Sequence, residues 1–586
     1  MSLTIENKYS NLKGGLFMKK RFQKVIVLAL VGIMTMSAFS GCGKKKNTEN
    51  PGSTAAPTQA GEATKTPDNT VAGIEGWTPF SEKVTITVPV YDRSKEGYPA
   101  VDDNYWTKWI QKEFGDKYNV DVDFVAIPRG DVMTKYSMLI AAEQTPTILM
   151  EYDYPKVAQW ANDGAMQVID LEKFKQVAPN YYQKMVDNNQ LDYTKINGED
   201  FFVLSERPYY NTPFSHIRFV RKDWLDKVGK EVPQNYQEYT EAIDAIIAAG
   251  LTDQPPVDLS LPTAAYVANF GFRNFPVDEK EWAMHSSLGT ASLSWEPTYK
   301  LLKRQNAEYN KGYFSKEYDL DANVADSSQA KTDFINGKLF TFAGYMSASV
   351  DWLTAFYEKN PDAELAIASV TAPVEAGVVD VPAIRADNPF GMIVGFSSLA
   401  TEDQLKAAWM YMEWMSQEDV LFTLENGVEG VTYTLDENGL PKVDDTYRGE
   451  EMLNHNNNID MTCIVHATKQ LGTIEDTLKA LTPQGLPQDF YQAFLDNYNS
   501  LEENKKYAYS DPVFSVPVDA ESEYSAALFS LYQEYSVQLT KCKPEEFDAL
   551  YEKLSKQYLD AGYQEIIDER LEAYEAGNTT KLILSE

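Results

Sequence analysis

Cysteine is nearly absent from this chain: Cys42, Cys463 and Cys542 are all that 586 residues carry. None belongs to a C-x-x-C pair, and Cys463 and Cys542, 79 positions apart, are as readily two buried small side chains as a disulfide. Histidine is equally sparse, and His216, His285, His455 and His466 do not cluster in sequence. G-x-S-x-G, H-E-x-x-H and Walker-loop patterns are missing too, which removes the enzyme classes that carry them. A glycosidase survives this test, because its chemistry needs only two carboxylates. Asp319-Leu-Asp-Ala-Asn323 opens like a calcium loop, but Val324 stands where glycine is required and Ala330 where the bidentate glutamate belongs. No metal and no cofactor are therefore expected. Basic residues are outnumbered, 53 against 87 acidic, and the net charge of −34 disfavours nucleic acid as a partner. The acidity is spread without long runs, as on a solvated surface.

Long apolar runs are also lacking. The longest, Val25 to Phe39, has 15 residues, short of the roughly 20 that a membrane-spanning helix needs. A basic head from Met18 to Lys24 precedes it, and Ser40-Gly41-Cys42 follows. This order resembles a bacterial lipoprotein signal, with Phe39 where leucine is usual, and implies cleavage before Cys42 and a diacylglyceryl thioether on its sulfur. Residues 1–17 fit no secretory pattern and read as translated leader before a start at Met18. Residues 42–76 are rich in Pro, Gly, Thr and Ala and cannot bury enough surface to offset ordering entropy. They read as a flexible tether spanning on the order of 30 Å. Lys44 to Lys46 sit where they would meet anionic headgroups. Without residues 1–41, which hold six basic and one acidic residue, the chain is 39 negative.

What remains is about 510 residues, more than one hydrophobic core normally serves. From Lys83 the pattern is regular. Val84, Ile86 and Val88 alternate as in a strand; Trp106, Trp109, Ile110 and Phe114 follow at helical spacing; VDVDFVAIP reads as a second strand. KYSMLIAAEQ, TPTILMEYDY and KVAQWANDGAM repeat the theme as helix, buried strand and helix. Such alternation predicts a parallel sheet flanked by helices. Ligands gather at the carboxyl ends of such strands, here Tyr91-Asp92-Arg93 and Glu151-Tyr152-Asp153-Tyr154. Aromatic residues are plentiful, with 36 Tyr, 27 Phe and 10 Trp, and rings with a polar handle suit sugar or peptide ligands.

NGEDFFVLSERP followed by FSHIRFVRKDWLDKVGKEVPQNYQEYTEAIDAI resembles the family 1 extracellular solute-binding proteins of bacterial ABC importers. In that family a G-K-x-Y-x-L-P hairpin precedes a strand reading W-x-R-K-D-W-L-D-K-L-G, and Val220 to Lys227 reproduce its centre. Phe201 stands where Tyr is common and Asn235 where Thr is usual. Further matching stretches, from MLIAAEQTPTILM through FINGKLFTFAGYMSASVDWL to the closing helices, extend the likeness over nearly all of 83–577, most like the large Firmicute lipoproteins associated with oligosaccharide uptake.

The resemblance implies an α/β, two-lobe, periplasmic-binding-protein-like fold with several interlobe crossing strands. Its first lobe would comprise 77–215 and 390–435, its second 216–389 and 436–586. His216 to Arg221 would cross outward and Pro389 to Ala400 back. The implied function is capture of an oligosaccharide in the interlobe cleft for delivery to ABC permease subunits, by a monomer held through lipidated Cys42 at the outer face of the cytoplasmic membrane. The resemblance also places Tyr345 and Met346 in a cleft-facing loop, Tyr209 and Tyr210 before the first crossing, and Glu429 and Tyr433 around a hairpin turning at Asn438-Gly439. Trp352 reads as core. Two alternatives stand beside this reading: a surface carbohydrate-processing enzyme, which glycan turnover would reveal, and a ligand sensor without transport, against which adjacent permease genes would argue.

Overall fold

The computed structural model describes residues 77–94, 97–206, 216–257, 259, 278–287, 292–320, 329–345, 350–368, 384–444, 446–462, 473–482, 486 and 490–580. The expected leader, signal and tether, with Cys42, lie outside these residues, as do Tyr209, Tyr210, Met346 and Cys463.

Alternating apolar residues make β1 (Val84–Asp92), which pairs in parallel with β2 (Val120–Pro128), Val84 opposite Val120 and Asp92 opposite Pro128. Between them the helix Tyr105–Ile110 begins at a capping box, in which the Asn104 side-chain Oδ1 accepts from the backbone N–H groups of Trp106 and Thr107 at 2.9 and 3.1 Å. Its turn spacing buries Trp106, Trp109 and Ile110, and Phe114 follows on the same side. Trp109 and Phe114 meet Trp414 at ring separations of 5.6 and 5.5 Å, so the late helix Glu402–Met415 packs on this lobe. β3 (Ile148–Glu151) runs beside β1, joined by mutual hydrogen bonds between Thr87 and Thr147. Short strands β4 (Lys195–Ile196) and β5 (Glu199–Asp200) form a hairpin before β6 (Val203–Leu204).

β7 (His216–Arg221) then lies between β8 (Thr341–Tyr345) and β9 (Leu365–Ala368), antiparallel to both. Its side chains alternate between two covered faces. Ile217 and Phe219 join a core with Phe334, Trp352 and Phe356, while Val220 joins one with Trp224, Ile243 and Phe340. Beyond the short β10 (Ile384–Ala386), β11 (Ile393–Phe396) inserts between β3 and β6, again antiparallel to both. The expectation of a parallel pairing is met by β1 and β2, while β7 and β11, expected as crossings, pair antiparallel with their neighbours. A helix crossover returns the chain to the same end of a sheet, whereas a strand arriving from another lobe enters from the opposite end.

Residue 436, where the change of lobe is expected, lies within a hairpin. β12 (Tyr433–Leu435) and β13 (Pro441–Val443) form a hairpin in which Gly439 takes φ 77° and Asp436 Oδ1 accepts from the N–H groups of Asn438 and Leu440. A hairpin returns the chain to where it began, and Leu453 and Met461 accordingly lie in the first-lobe core with β1 and β3. Leu478, in the helix Ile474–Leu481, belongs instead to the core under β7.

β14 (Ala508–Ser510) pairs with β10. The segment after it touches the first lobe, where the N–H of Asn197 donates to the Ser515 carbonyl at 2.8 Å and Val513 enters the core. It leads into a helical layer of Asp519–Lys541, Phe547–Tyr558 and Gln564–Glu575, packed with Glu296–Lys311 around Leu302, Tyr532, Leu539 and Tyr558. Arg570 is buried there, donating to Glu521 at 2.6 Å and to the carbonyls of Met284 and Ser286.

Candidate functional site

Ile393, the first residue of β11, pairs with Glu151 and with Leu204, the last residues of β3 and β6. The chain therefore leaves this sheet and re-enters it at one edge, the edge where β1 and β3 end. Gln190 is fully buried and clamps the two crossings, its amide nitrogen donating to the carbonyls of Ser205 and Pro389 at 2.9 and 2.7 Å. Ser205 binds the returning strand directly: its N–H donates to Met392 O at 2.9 Å, and its carbonyl accepts from Gly391 at 3.0 Å.

The same edge gathers charged and aromatic groups. Arg93 donates to both oxygens of Asp460 at 2.6 and 3.3 Å and to the Tyr91 carbonyl at 3.2 Å. Asp460 is fully buried and also accepts from the Tyr91 N–H at 3.1 Å. Burial pushes its carboxyl above the ordinary value, and Arg93 offsets this only in part. The Tyr91 hydroxyl donates to Glu151 Oε2 at 3.1 Å and to Met150 O at 3.0 Å, and Glu151 Oε1 accepts from the Tyr152 N–H at 2.7 Å. Arg129, immediately after β2, lies over the rings of Tyr91 and Tyr152 at 4.8 and 5.7 Å, with Glu151 Oε1 at 3.9 Å. Burial raises the hydroxyl pKa of both tyrosines, so both stay neutral.

Of the residues expected at the site, Tyr91, Arg93 and Tyr152 meet here. The Tyr91 ring is wholly buried behind the edge. Asp92 stands at the edge, half-buried, accepting from the Ser94 N–H at 2.7 Å. Asp153 precedes the helix Tyr154–Asn162 and pairs with Lys156 at 3.1 Å. The Tyr154 ring lies against Phe202 and Phe390, its hydroxyl donates to Lys195 O at 3.2 Å, and it borders a crevice walled by Phe514 and Pro517. Tyr345 ends β8 opposite His216, the first residue of β7. Glu429 is exposed; Tyr433 is buried against Phe422 at 5.7 Å. Among the described residues no hydrogen bond, ion pair or ring contact joins either to the edge cluster.

Arg129 and Asp460 belong to this edge without having been expected. Arg129 was within reach of the strand-end rule, because it directly follows the second parallel strand. Asp460 was not, lying 367 positions from Arg93 in a helix, His455–Thr462, with no distinguishing pattern.

Comparison with known proteins gives this arrangement a setting. The family of bacterial extracellular solute-binding proteins matches residues 99–420. A polygalacturonan/rhamnogalacturonan-binding protein of Bacillus subtilis is 21% identical over 495 residues, covering 79% of this chain and 87% of that one. Among solved structures, an alginate-binding protein superposes with a TM-score of 0.59 at 16% identity, over 85% of this chain and 99% of that one. A solute-binding protein from Bifidobacterium longum subsp. infantis gives 0.59 at 15%, over 86% and 100%. An N-glycan transport solute-binding protein from Streptococcus pneumoniae gives 0.55 at 14%, over 84% and 99%. These structural likenesses establish a shared fold.

Proposed function

We propose, because this chain belongs to the bacterial extracellular solute-binding protein family, that it captures an oligosaccharide between its two lobes and delivers it to an ABC importer. The observation carrying this reading is the shared edge, where both crossings, the half-buried Tyr152 and two arginines stand at the carboxyl ends of the strands. A pyranose offers apolar C–H faces that stack on aromatic rings and a rim of hydroxyls that pair with groups able to donate or accept. The edge supplies Tyr152 for the first and Arg93, Arg129, Asp92 and Asp153 for the second. The ligands named for the B. subtilis relative and for the alginate and N-glycan proteins support a carbohydrate.

Capture without hydrolysis fits the same residues. The two buried carboxylates, Glu151 and Asp460, are turned inward onto Tyr91, Tyr152 and Arg93, so neither stands free to protonate a leaving group. Tyr345, Met346, Tyr209 and Tyr210 would contribute from the second lobe and the outward crossing, with Glu429 and Tyr433 farther candidates. The signal-like run before Cys42 supports anchoring of a monomer to the outer face of the cytoplasmic membrane through a lipidated cysteine and a tether. Calorimetric titration of the protein with a panel of oligosaccharides tests the central reading. Saturable binding of at least one glycan without its turnover is expected; no binding across the panel, or cleavage of a bound glycan, overturns it.

A further inference from the structure

The two ion pairs of the site edge are oriented alike. Arg93 and Arg129 keep 27% and 42% of their side-chain surface exposed, while their partners Asp460 and Glu151 keep 0% and 4%. The edge therefore presents cations outward over buried anions, in a chain whose net charge is −34. The two arginines differ in what they have left to give. Arg93 commits both terminal nitrogens to Asp460. Arg129 rests on two aromatic faces, and among the described residues no acceptor takes a hydrogen bond from its guanidinium; its nearest carboxylate oxygen, at 3.9 Å, already accepts from the Tyr152 N–H.

A guanidinium lying over two tyrosine rings has its rotamer freedom reduced before any ligand arrives, and its planar fork matches a carboxylate in two parallel hydrogen bonds. A neutral hydroxyl uses only one such donor and gains little from the charge. The diffuse negative surface does not prevent this, since its field is screened beyond roughly 8–10 Å at ordinary ionic strength, whereas a contact pair is screened much less.

We propose that Arg129, poised over Tyr91 and Tyr152 with an unspent guanidinium fork, selects an oligosaccharide bearing carboxylates, that is, one containing uronic acid residues. This rests on the reading of the protein as an oligosaccharide binder and deepens it to a substrate class. The Tyr152 ring would stack on the sugar carrying the carboxylate, and Arg93 would hold the edge in shape while lending a second positive charge.

The test titrates the full-length protein by calorimetry with galacturonate, glucuronate and mannuronate trisaccharides, their methyl esters, and neutral gluco- and mannotrisaccharides. At least one uronate trisaccharide is expected to bind, with its methyl ester at least tenfold weaker. Arg129→Gln should weaken uronate binding ten- to hundredfold and ester binding by a clearly smaller factor, and Arg129→Lys should recover only part of the loss. Because Arg129 is substantially solvated, the melting temperature of both variants should stay near that of the parent, which separates lost recognition from lost folding. Equal affinity for acid and ester, or an Arg129→Gln effect of the same size on both, overturns the proposal. Binding of the neutral trisaccharides alone overturns it and leaves the oligosaccharide reading standing. Binding of no glycan overturns both.

Discussion

Arg93 spends its guanidinium on a carboxylate that has no exposed surface, so its value lies in what its removal strands. Arg93→Gln should destabilise the protein by about 2–3 kcal/mol, below the full range for breaking a buried pair because Arg93 itself keeps some water. A urea midpoint unchanged from the parent would contradict this, and adding Asp460→Asn should restore part of the loss. His285 makes a second residue-scale case. It stacks on Trp295 at 5.6 Å and shares a 3.0 Å hydrogen bond with the Tyr563 hydroxyl. Burial, helped by the charge of Arg570, lowers its pKa to about 4. The folded form thus resists a proton that the unfolded chain accepts near its ordinary value of 6.5, so this contribution is present above pH 6.5 and is lost as pH falls toward 4. At no more than about 1.4 kcal/mol per pH unit, the loss should approach 2–3 kcal/mol. Thermal melts of His285→Gln should show a flatter acid limb; an identical limb would rule the effect out. Single residues were unevenly legible in the sequence. Trp352 reads as core from its place in a helical run, and it is, with Phe219, Phe334 and Phe342 around it at 5.0 to 5.5 Å. Tyr91 reads as a strand-end ring whether it faces a ligand or the interior, because its place at the end of β1 does not say which face its ring takes. Asp460 was illegible because only folding brings it to Arg93.

At the scale of elements, the crossings were legible as strands but their neighbours were not. The family resemblance names β7 and β11 as crossings; it contains nothing about which strands they part or in which direction they run. The join itself depends on a residue with no side chain. A Cβ placed on Gly391 would stand 2.7 Å from Ser205 Oγ and 2.9 Å from the Glu206 carbonyl oxygen, the latter a backbone atom that cannot swing aside. Gly391→Val should therefore push the outgoing and returning strands apart, at a cost of roughly 1–3 kcal/mol. Amide exchange should rise at Ser205 and Met392, whose N–H groups bind across the join, while Thr341 to Tyr345 in the other lobe stays as protected as in the parent. Uniform protection in both places would show that the close approach is dispensable.

For the whole molecule, two sheets are each completed by a strand that comes from elsewhere in the chain. That layout leaves the lobes linked by a few extended crossings, the arrangement that hinge closure uses. Saturating oligosaccharide should lower the radius of gyration in solution scattering. An unchanged profile, with the ligand-free form shown by the same data to be open, would exclude closure. The layout also dictates an order of events for a chain that emerges amino terminus first. β3 and β6 can be synthesised and collapse long before β11, which parts them, has left the ribosome; Leu204 waits for a partner 189 positions downstream. Through that interval the first lobe carries two open strand edges with nothing to cover them. A protein assembled this way cannot be divided into one contiguous half per lobe, and while it is being made it is most vulnerable to foreign strands at the very seam that later opens and closes.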